Sequence, residues 1–136
     1  KSFKKELENW VSAHADEKAN IGAVVVVGGI NDSRPTVNGE PYARYTKVLE
    51  KFEDLISYIK TNLPNATAYC GYTGWIDLIS KPSDDRRGAY RLKVAQSYME
   101  ATQYGWKYLN GIENIIHNKR TDYEKNATFI VADICA

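Results

Sequence analysis

The chain has 136 residues, 43% of them hydrophobic and 26% charged, and its 18 basic and 17 acidic residues give a formal net charge of +1 at pH 7. This composition is ordinary for a globular domain and excludes a disordered or fibrous chain. The small net charge gives no field that would attract nucleic acid, and the longest apolar run, 21–30, is shorter than the roughly 20 residues of a membrane-spanning helix. We predict one folded domain, residues 1–136, whose partner is neither nucleic acid nor a membrane.

The first two predicted elements are a helix and a strand. Apolar side chains recur at helical spacing over residues 2–15, with lysine and glutamate between them, which is typical of an amphipathic helix. Residues 23–27, Ala-Val-Val-Val-Val, are continuously apolar and mostly β-branched. That pattern predicts a parallel strand covered on both faces. The strand ends at Gly28-Gly29, so its carboxyl end is rich in glycine.

A loop, a second helix and a second strand follow. Residues 33–41 contain two prolines and an Asn-Gly pair, which predicts an irregular loop. From Tyr45 onward apolar residues keep the spacing i, i+3, i+4, i+7 over five turns until Pro64, which predicts a second helix. Residues 66–69 predict a short strand before a glycine and aromatic loop. The order strand, helix, strand predicts a parallel crossover.

The last predicted elements are a third helix over 87–104, ended by Gly105, and strands at 106–109 and 128–132. The residues that define the apolar side of this helix are Leu92, Val94, Ala95, Tyr98, Met99 and Thr102. Because β and α segments alternate along the chain, we predict an α/β fold: a three-layer αβα sandwich with a mostly parallel sheet.

The segment Gly28-Gly29-Ile30-Asn31-Asp32 carries the main functional signal. Ligands of open α/β sheets bind beyond the carboxyl ends of the strands. Glycine lets the backbone approach a ligand with its N–H exposed, and an asparagine amide adds a second neutral donor for a developing oxyanion. A tight turn capped by the Asn31 and Asp32 side chains explains the same residues. The motif alone leaves both interpretations open.

A wider pattern favours the first interpretation. Residues 24–32, Val-Val-Val-Val-Gly-Gly-Ile-Asn-Asp, resemble the third conserved block of SGNH (GDSL-like) ester hydrolases, where a strand runs into Gly-x-Asn-Asp. The helix that follows and the segments 63–69 and 105–113 extend the resemblance over roughly 21–117. It implies an SGNH or flavodoxin-like fold and Ser-His-Asp acyl transfer without a cofactor. Gly29 and Asn31 match the family's oxyanion donors.

Two parts of the family's active site have no counterpart in this sequence. There is no Gly-Asp-Ser block to supply the nucleophile, and the late segment Asp133-Ile-Cys-Ala has Ala136 where the histidine of Asp-x-x-His would stand. Asp32 and Asp133 are kept as further candidate catalytic residues. We interpret the chain as a piece of a longer hydrolase domain, with a diverged inactive domain as the alternative. Exposed sheet edges would then favour self-association or a partner chain that completes the domain.

The substrate predicted by the resemblance is a small-molecule or carbohydrate ester. Tyr72 and Trp75 follow the second predicted strand, where aromatic rings would contact a sugar or close an apolar site; packing in the core is the alternative explanation for most of the aromatic residues at these strand ends. The competing hypothesis is a non-catalytic glycan-binding or structural module of a larger surface or phage-tail-like protein. A third, a flavodoxin-like phosphate site at Gly28-Gly29, lacks the lysine or Ser/Thr pattern that usually accompanies one.

Other reactive side chains are interpreted as structural. Cys70, at the end of a predicted buried strand, is interpreted as a core thiol. The histidines, acids and cysteines show no metal-ligand spacing, so no metal site is predicted. Ser33 follows the Asn-Asp pair, but no histidine or carboxylate is placed by the sequence to activate it as a nucleophile.

Overall fold

The described part of the protein is a parallel sheet with packed helices. The computed structural model describes the backbone of residues 2–33, 36–37, 40–41, 44–73 and 85–109, and their side chains except for 36–37, 40–41 and 85–89. The elements are α1 (Phe3–Ala13), β1 (Ala23–Gly28), β2 (Thr36–Val37), β3 (Glu40–Pro41), α2 (Val48–Asn62), β4 (Thr67–Tyr72), α3 (Asp85–Glu100) and β5 (Lys107–Tyr108). Short 3-10 turns span Ala15–Asn20, Asn31–Ser33, Arg44–Lys47 and Ala101–Tyr104. The predicted α/β class is confirmed.

The larger sheet has the strand order β1-β4-β5, and both pairings are parallel. β1 and β4 are in register from Ala23 opposite Thr67 to Gly28 opposite Tyr72. β4 extends three residues beyond the predicted strand, so its end lies beside the end of β1. The predicted parallel crossover is confirmed, and it brings the two glycine-rich strand ends together at one edge of the sheet.

Both helices of the crossovers pack on the same face of this sheet. The connections step in one direction, from β1 to β4 and from β4 to β5, and right-handed crossovers in one direction place their helices on one side. Cys70 of β4 donates its thiol to the Tyr98 carbonyl of α3 at 3.4 Å. Phe52 of α2 meets Tyr98 edge to face with ring centroids 4.6 Å apart, and Trp106 Nε1 donates to the Phe52 carbonyl at 3.0 Å. The predicted core position of the Cys70 thiol is confirmed, since it is fully buried.

Strand β1 is covered on one face in its first half. Val24 and Val26 are buried, whereas Val25 is 46% exposed and Ala23 is also exposed. Among the described residues, the cover predicted on both faces of this strand is seen only on the face of Val24 and Val26, where α2 and α3 pack. A continuous run of valines indicates a strand but does not show on which side its helices pack.

The predicted first helix is confirmed as α1, and an ion pair connects it to α2. Lys4 Nζ of α1 is 3.0 Å from Asp54 Oδ2 of α2, and the apolar side of α1 belongs to the core through Phe3, Leu7 and Val11. The amphipathic spacing therefore identified both the helix and its buried side.

Helix α3 is confirmed, but its buried side is displaced from the predicted one. Its buried residues include Arg91, Val94, Ala95 and Tyr98. Leu92 and Met99, which were predicted to be apolar contacts, are 47% and 38% exposed, and Thr102 is exposed as well. Leu92 and Met99 are seven residues apart and share a stripe that faces away from the sheet. After α3 the chain ends the helical segment at Gly105 with φ of 107°, which confirms the predicted stop.

The structure also bears on the predicted loop at 33–41 and on the last two predicted strands. The segment predicted as an irregular loop contains a short antiparallel pair, with Thr36 opposite Pro41 and Val37 opposite Glu40. Asn-Gly is the strongest short-range sequence signal for a two-residue hairpin, and sequence analysis interpreted the pair only as a sign of an irregular loop. The predicted strand at 106–109 is confirmed as β5, whereas 128–132 lies outside the described residues. Within the described ranges, no helix has the length and hydropathy of a membrane span.

Candidate functional site

The candidate site lies where β1 and β4 end side by side. The Thr73 N–H, just after β4, donates to the Gly28 carbonyl at 3.0 Å. The chain then turns sharply: the Asp32 N–H donates to the Gly29 carbonyl at 3.1 Å, and the Ser33 N–H donates to the Ile30 carbonyl at 3.2 Å. We call residues 29–33 the Gly29 turn. It lies at the carboxyl edge of the parallel strands, where ligands of α/β sheets usually bind.

Gly29 is required by both its backbone and its neighbours. Its φ is 105°, a conformation that residues with a side chain rarely adopt. A Cβ built on it would lie 2.7 Å from Tyr72 Cδ2 and 2.9 Å from Tyr98 Cε1. Glycine permits a close approach here, and the groups that approach it are two tyrosine rings of the protein itself. The predicted approach of a ligand to the Gly29 backbone stays a prediction.

The side chain that caps the Gly29 turn is that of Ser33. Its hydroxyl donates to the Gly29 carbonyl at 3.0 Å and its Oγ lies 2.9 Å from the Tyr72 hydroxyl. A serine hydroxyl has one hydrogen, so Tyr72 is the donor in the second bond. Both side chains are buried, at 2% and 0% exposure. The sequence offered Asn31 and Asp32 as capping side chains in one of two interpretations, and Ser33 was considered only as a nucleophile. The contact of Ser33 depends on a partner 39 residues away.

Asp32 forms an ion pair with a residue that sequence analysis did not single out. Arg44 Nη2 lies 2.9 Å from Asp32 Oδ1, and the side chains are 21% and 0% exposed respectively. Arg44 begins the 3-10 turn that leads into α2. A single arginine in front of a helix carries no pattern that distinguishes it from a solvated charge, so its pairing with Asp32 follows only from the fold.

Helix α3 also lies next to the site, where it contacts both the Gly29 turn and the turn at Arg44–Lys47. Tyr90 of α3 stacks on Tyr45 with centroids 4.4 Å apart and an interplanar angle of 23°. Lys93 Nζ lies 5.2 Å from the centroid of the Tyr45 ring, and Arg91 is buried at 7% exposure. The surroundings of the Gly29 turn are therefore aromatic and rich in basic side chains.

The structure brings together four of the predicted site residues. Gly29, Asn31 and Asp32 belong to one turn, with Asn31 partly exposed at its surface. Tyr72 lies beneath the turn, and its side chain is fully buried. Its hydroxyl bonds to Ser33, so the ring packs inside the protein and is not displayed at the surface. Trp75 and Asp133, the other two predictions, lie outside the described residues.

Burial makes the nearby thiol unreactive. The pKa of Cys70 is raised from 9.0 to about 12 by its removal from water, so the thiol stays protonated near neutral pH. Within the described part of the chain, no group of three or more His, Cys, Asp or Glu side chains is arranged to hold a metal ion. The groups available at this edge are thus hydrogen-bond donors, tyrosine rings and the Asp32–Arg44 pair.

Comparison of the chain with protein-family models, with curated proteins and with solved structures found no match. Two properties of the turn matter most: Gly29 is held in a conformation that only glycine adopts readily, and a partly exposed asparagine follows two residues later.

Proposed function

We propose that the Gly29 turn is the oxyanion site of an SGNH-type ester hydrolase that acts on acyl or acetyl esters, such as O-acetylated carbohydrate. The observation that carries the proposal is the left-handed Gly29 at the end of β1, with φ of 105°, followed by the partly exposed Asn31. A backbone N–H and a side-chain amide from one short, fixed turn are donors suited to the charge that develops on an ester oxygen.

The orientation of the Gly29 N–H supports this role. The Gly28 carbonyl accepts a hydrogen bond from the Thr73 N–H at 3.0 Å, and no peptide bond in the described residues is cis. In a planar trans peptide the N–H points opposite to the C=O. The Gly29 N–H therefore points away from the Thr73 side, in a direction fixed by the pairing of two strand ends.

The proposed reaction uses groups outside the described residues for its covalent steps. A serine attacks the ester carbonyl carbon while a histidine accepts the serine proton, and the tetrahedral oxyanion forms against the Gly29 N–H and the Asn31 amide. The intermediate collapses with loss of the alcohol, which takes the proton from histidine, and water then hydrolyses the acyl-serine. We propose that this serine and histidine come from a part of a longer hydrolase beyond these 136 residues, or from a partner chain.

The proposed fold is the three-layer αβα sandwich of these hydrolases. The exposed β-branched side of β1, with Val25 46% exposed, supports a further layer on that face, because an apolar strand face gains stability when a helix covers it. Asp32 has a structural role within this proposal, since its carboxylate pairs with Arg44 at 2.9 Å.

The proposal is tested by hydrolysis of p-nitrophenyl acetate by the full-length gene product with and without Asn31→Ala. Removal of one oxyanion donor lowers kcat by about 100-fold or more, and we expect a loss of this size. The matched control is Asn20→Ala, which removes an exposed asparagine from the Ala15–Asn20 turn and should leave kcat unchanged. Equal activity of Asn31→Ala and the control would refute the assignment.

A second candidate function is non-catalytic glycan binding, and one specific observation favours it. The stacked Tyr45 and Tyr90 rings are each partly exposed beside the Gly29 turn, and Lys93 adds a cation to the same surface. Such a surface can hold a sugar ring or its acidic substituent. In this case titration calorimetry with acetylated oligosaccharides should show binding without turnover, weakened about tenfold by Tyr90→Ala. Tyr104→Ala, at the far end of the same helical segment, is the control.

A further inference from the structure

We infer that the Ser33 and Tyr72 hydroxyls are a positioning pair that fixes the carbonyl of Gly29, and through it the donor geometry of the Gly29 turn. This inference rests on the proposed function. Neither residue touches the substrate in this assignment. Tyr72, predicted from the sequence as a substrate contact, acts instead from beneath the turn.

Tyr72, Ser33 and the Gly29 carbonyl are connected by a directed chain of hydrogen bonds. Tyr72 donates to Ser33 Oγ over 2.9 Å, and Ser33 donates to the Gly29 carbonyl over 3.0 Å. The same carbonyl also accepts the Asp32 N–H at 3.1 Å, so both of its lone pairs are engaged. All three linked groups are buried, where hydrogen bonds in a chain strengthen one another and an unpaired group is costly.

Residues at the end of β4 restrain the peptide groups on both sides of Gly29. Its preceding peptide is fixed by the bond from the Thr73 N–H to the Gly28 carbonyl, at 3.0 Å. Its own carbonyl is fixed by Ser33 and Tyr72. Glycine has the widest choice of backbone conformations, so a glycine that must present its N–H in one direction needs this external restraint.

Tyr72 restrains Gly29 in two ways, through its ring and through its hydroxyl, and substitutions can test the two separately. Its ring fills the space where a Cβ would stand, 2.7 Å from Cδ2, and its hydroxyl holds Ser33. Tyr72→Phe keeps the ring and removes only the hydroxyl, and Ser33→Ala removes the link from the other side. The two substitutions break the same chain, so their effects on the donor geometry should coincide instead of adding.

The test compares six forms of the full-length gene product: wild type, Ser33→Ala, Tyr72→Phe, the double variant, Asn31→Ala and the control Tyr58→Phe. Each is assayed with p-nitrophenyl acetate at a temperature well below the midpoint of its own thermal unfolding. We expect each single variant to lose about 5- to 10-fold in kcat, in keeping with one hydrogen bond, with KM unchanged. The double variant should lose no more than the larger single loss. Tyr58→Phe, which removes a hydroxyl from a tyrosine of α2, should have wild-type kcat.

The outcomes separate this inference from the proposed function. If Asn31→Ala loses about 100-fold while Ser33→Ala and Tyr72→Phe keep their kcat, the oxyanion site stands and the positioning pair is refuted. Losses confined to KM, or losses that add in the double variant, also refute it. If the wild type is inert or Asn31→Ala is fully active, the hydrolase proposal fails and the inference fails with it.

Discussion

The carboxylate of Asp32 and the guanidinium of Arg44 form an ion pair in which the carboxylate is buried and the arginine side chain is partly exposed to solvent. Their Oδ1 and Nη2 atoms are 2.9 Å apart, with the Asp32 side chain 0% and the Arg44 side chain 21% exposed. Arg44 can turn toward water if it loses its partner, whereas Asp32 has no such access. The two residues should therefore differ in what their removal costs.

We predict that Arg44→Met lowers the free energy of unfolding by about 3 kcal/mol or more, because it leaves a buried carboxylate without this counter-charge. The double variant Arg44→Met with Asp32→Asn should recover a large part of that loss, since the isolated charge is gone. Urea unfolding at pH 7 measures both. The surface pair Lys4–Asp54, of similar length at 3.0 Å but 34% and 51% exposed, is the control, and Asp54→Asn should cost less than about 1 kcal/mol. Similar losses in Arg44→Met and Asp54→Asn would contradict this prediction.

A pair of glycine substitutions tests the fit of the Gly29 turn. Gly29→Ala should destabilise the protein by about 2–5 kcal/mol, since it adds left-handed strain to overpacking against two tyrosine rings. Gly22→Ala, where a Cβ meets nothing within 4 Å and φ is not left-handed, should be neutral or slightly stabilising. Thermal and urea unfolding of the two variants give the comparison. A Gly29→Ala protein as stable as Gly22→Ala would mean that the tyrosines are not packed on this turn.

The raised pKa of Cys70 predicts a loss of stability at alkaline pH. The folded protein keeps the thiol proton up to about pH 12, whereas the unfolded chain releases it near 9.0. The folded state therefore binds more protons between these values, and its stability falls as pH rises through that window. Relative to Cys70→Ala, the wild type should lose about 2 kcal/mol between pH 8 and pH 10.5. Unfolding curves at both pH values test this, and parallel behaviour of the two proteins would exclude a buried thiol.

The one-sided cover of β1 predicts opposite responses at neighbouring valines. Val26 is 2% exposed and Val25 is 46% exposed, so Val26→Thr buries a hydroxyl and should cost about 1–3 kcal/mol. Val25→Thr should change the free energy of unfolding by less than about 0.5 kcal/mol. These values are for the 136-residue chain, where equal losses at both positions would contradict the one-sided cover of β1. In a longer protein with the proposed three-layer fold, the loss at Val25 should instead approach that at Val26.

Sequence patterns predicted the elements well and their surroundings less well. Helical spacing located α1, α2 and α3, and the valine run located β1, because both patterns are local along the chain. The exposure of Val25 depends on the direction in which successive crossovers step, which no local pattern records. The buried side of α3 was misplaced for a related reason: Leu92 and Met99 are apolar, yet the stripe that packs on the sheet includes Arg91.

At the candidate site, too, local sequence patterns were predictive and contacts between distant residues were not. Gly29 and Asn31 were found because glycine at a strand end and the spacing of Gly-x-Asn-Asp are visible in the sequence. Ser33, Arg44 and Tyr98 were not found, since each acts through a partner distant in the chain. Their contacts exist only after the strands have paired.

That dependence has a consequence for how the site forms. Ser33 and Tyr72 are 39 residues apart, and the strands that bring them together are parallel, so a whole helix must be in place before their hydroxyls meet. Contacts between distant residues form late and slowly in folding because closing the intervening loop costs entropy. The Gly29 turn should therefore acquire amide-exchange protection together with the pairing of β1 and β4. An isolated peptide of residues 24–33 should not adopt the turn at all.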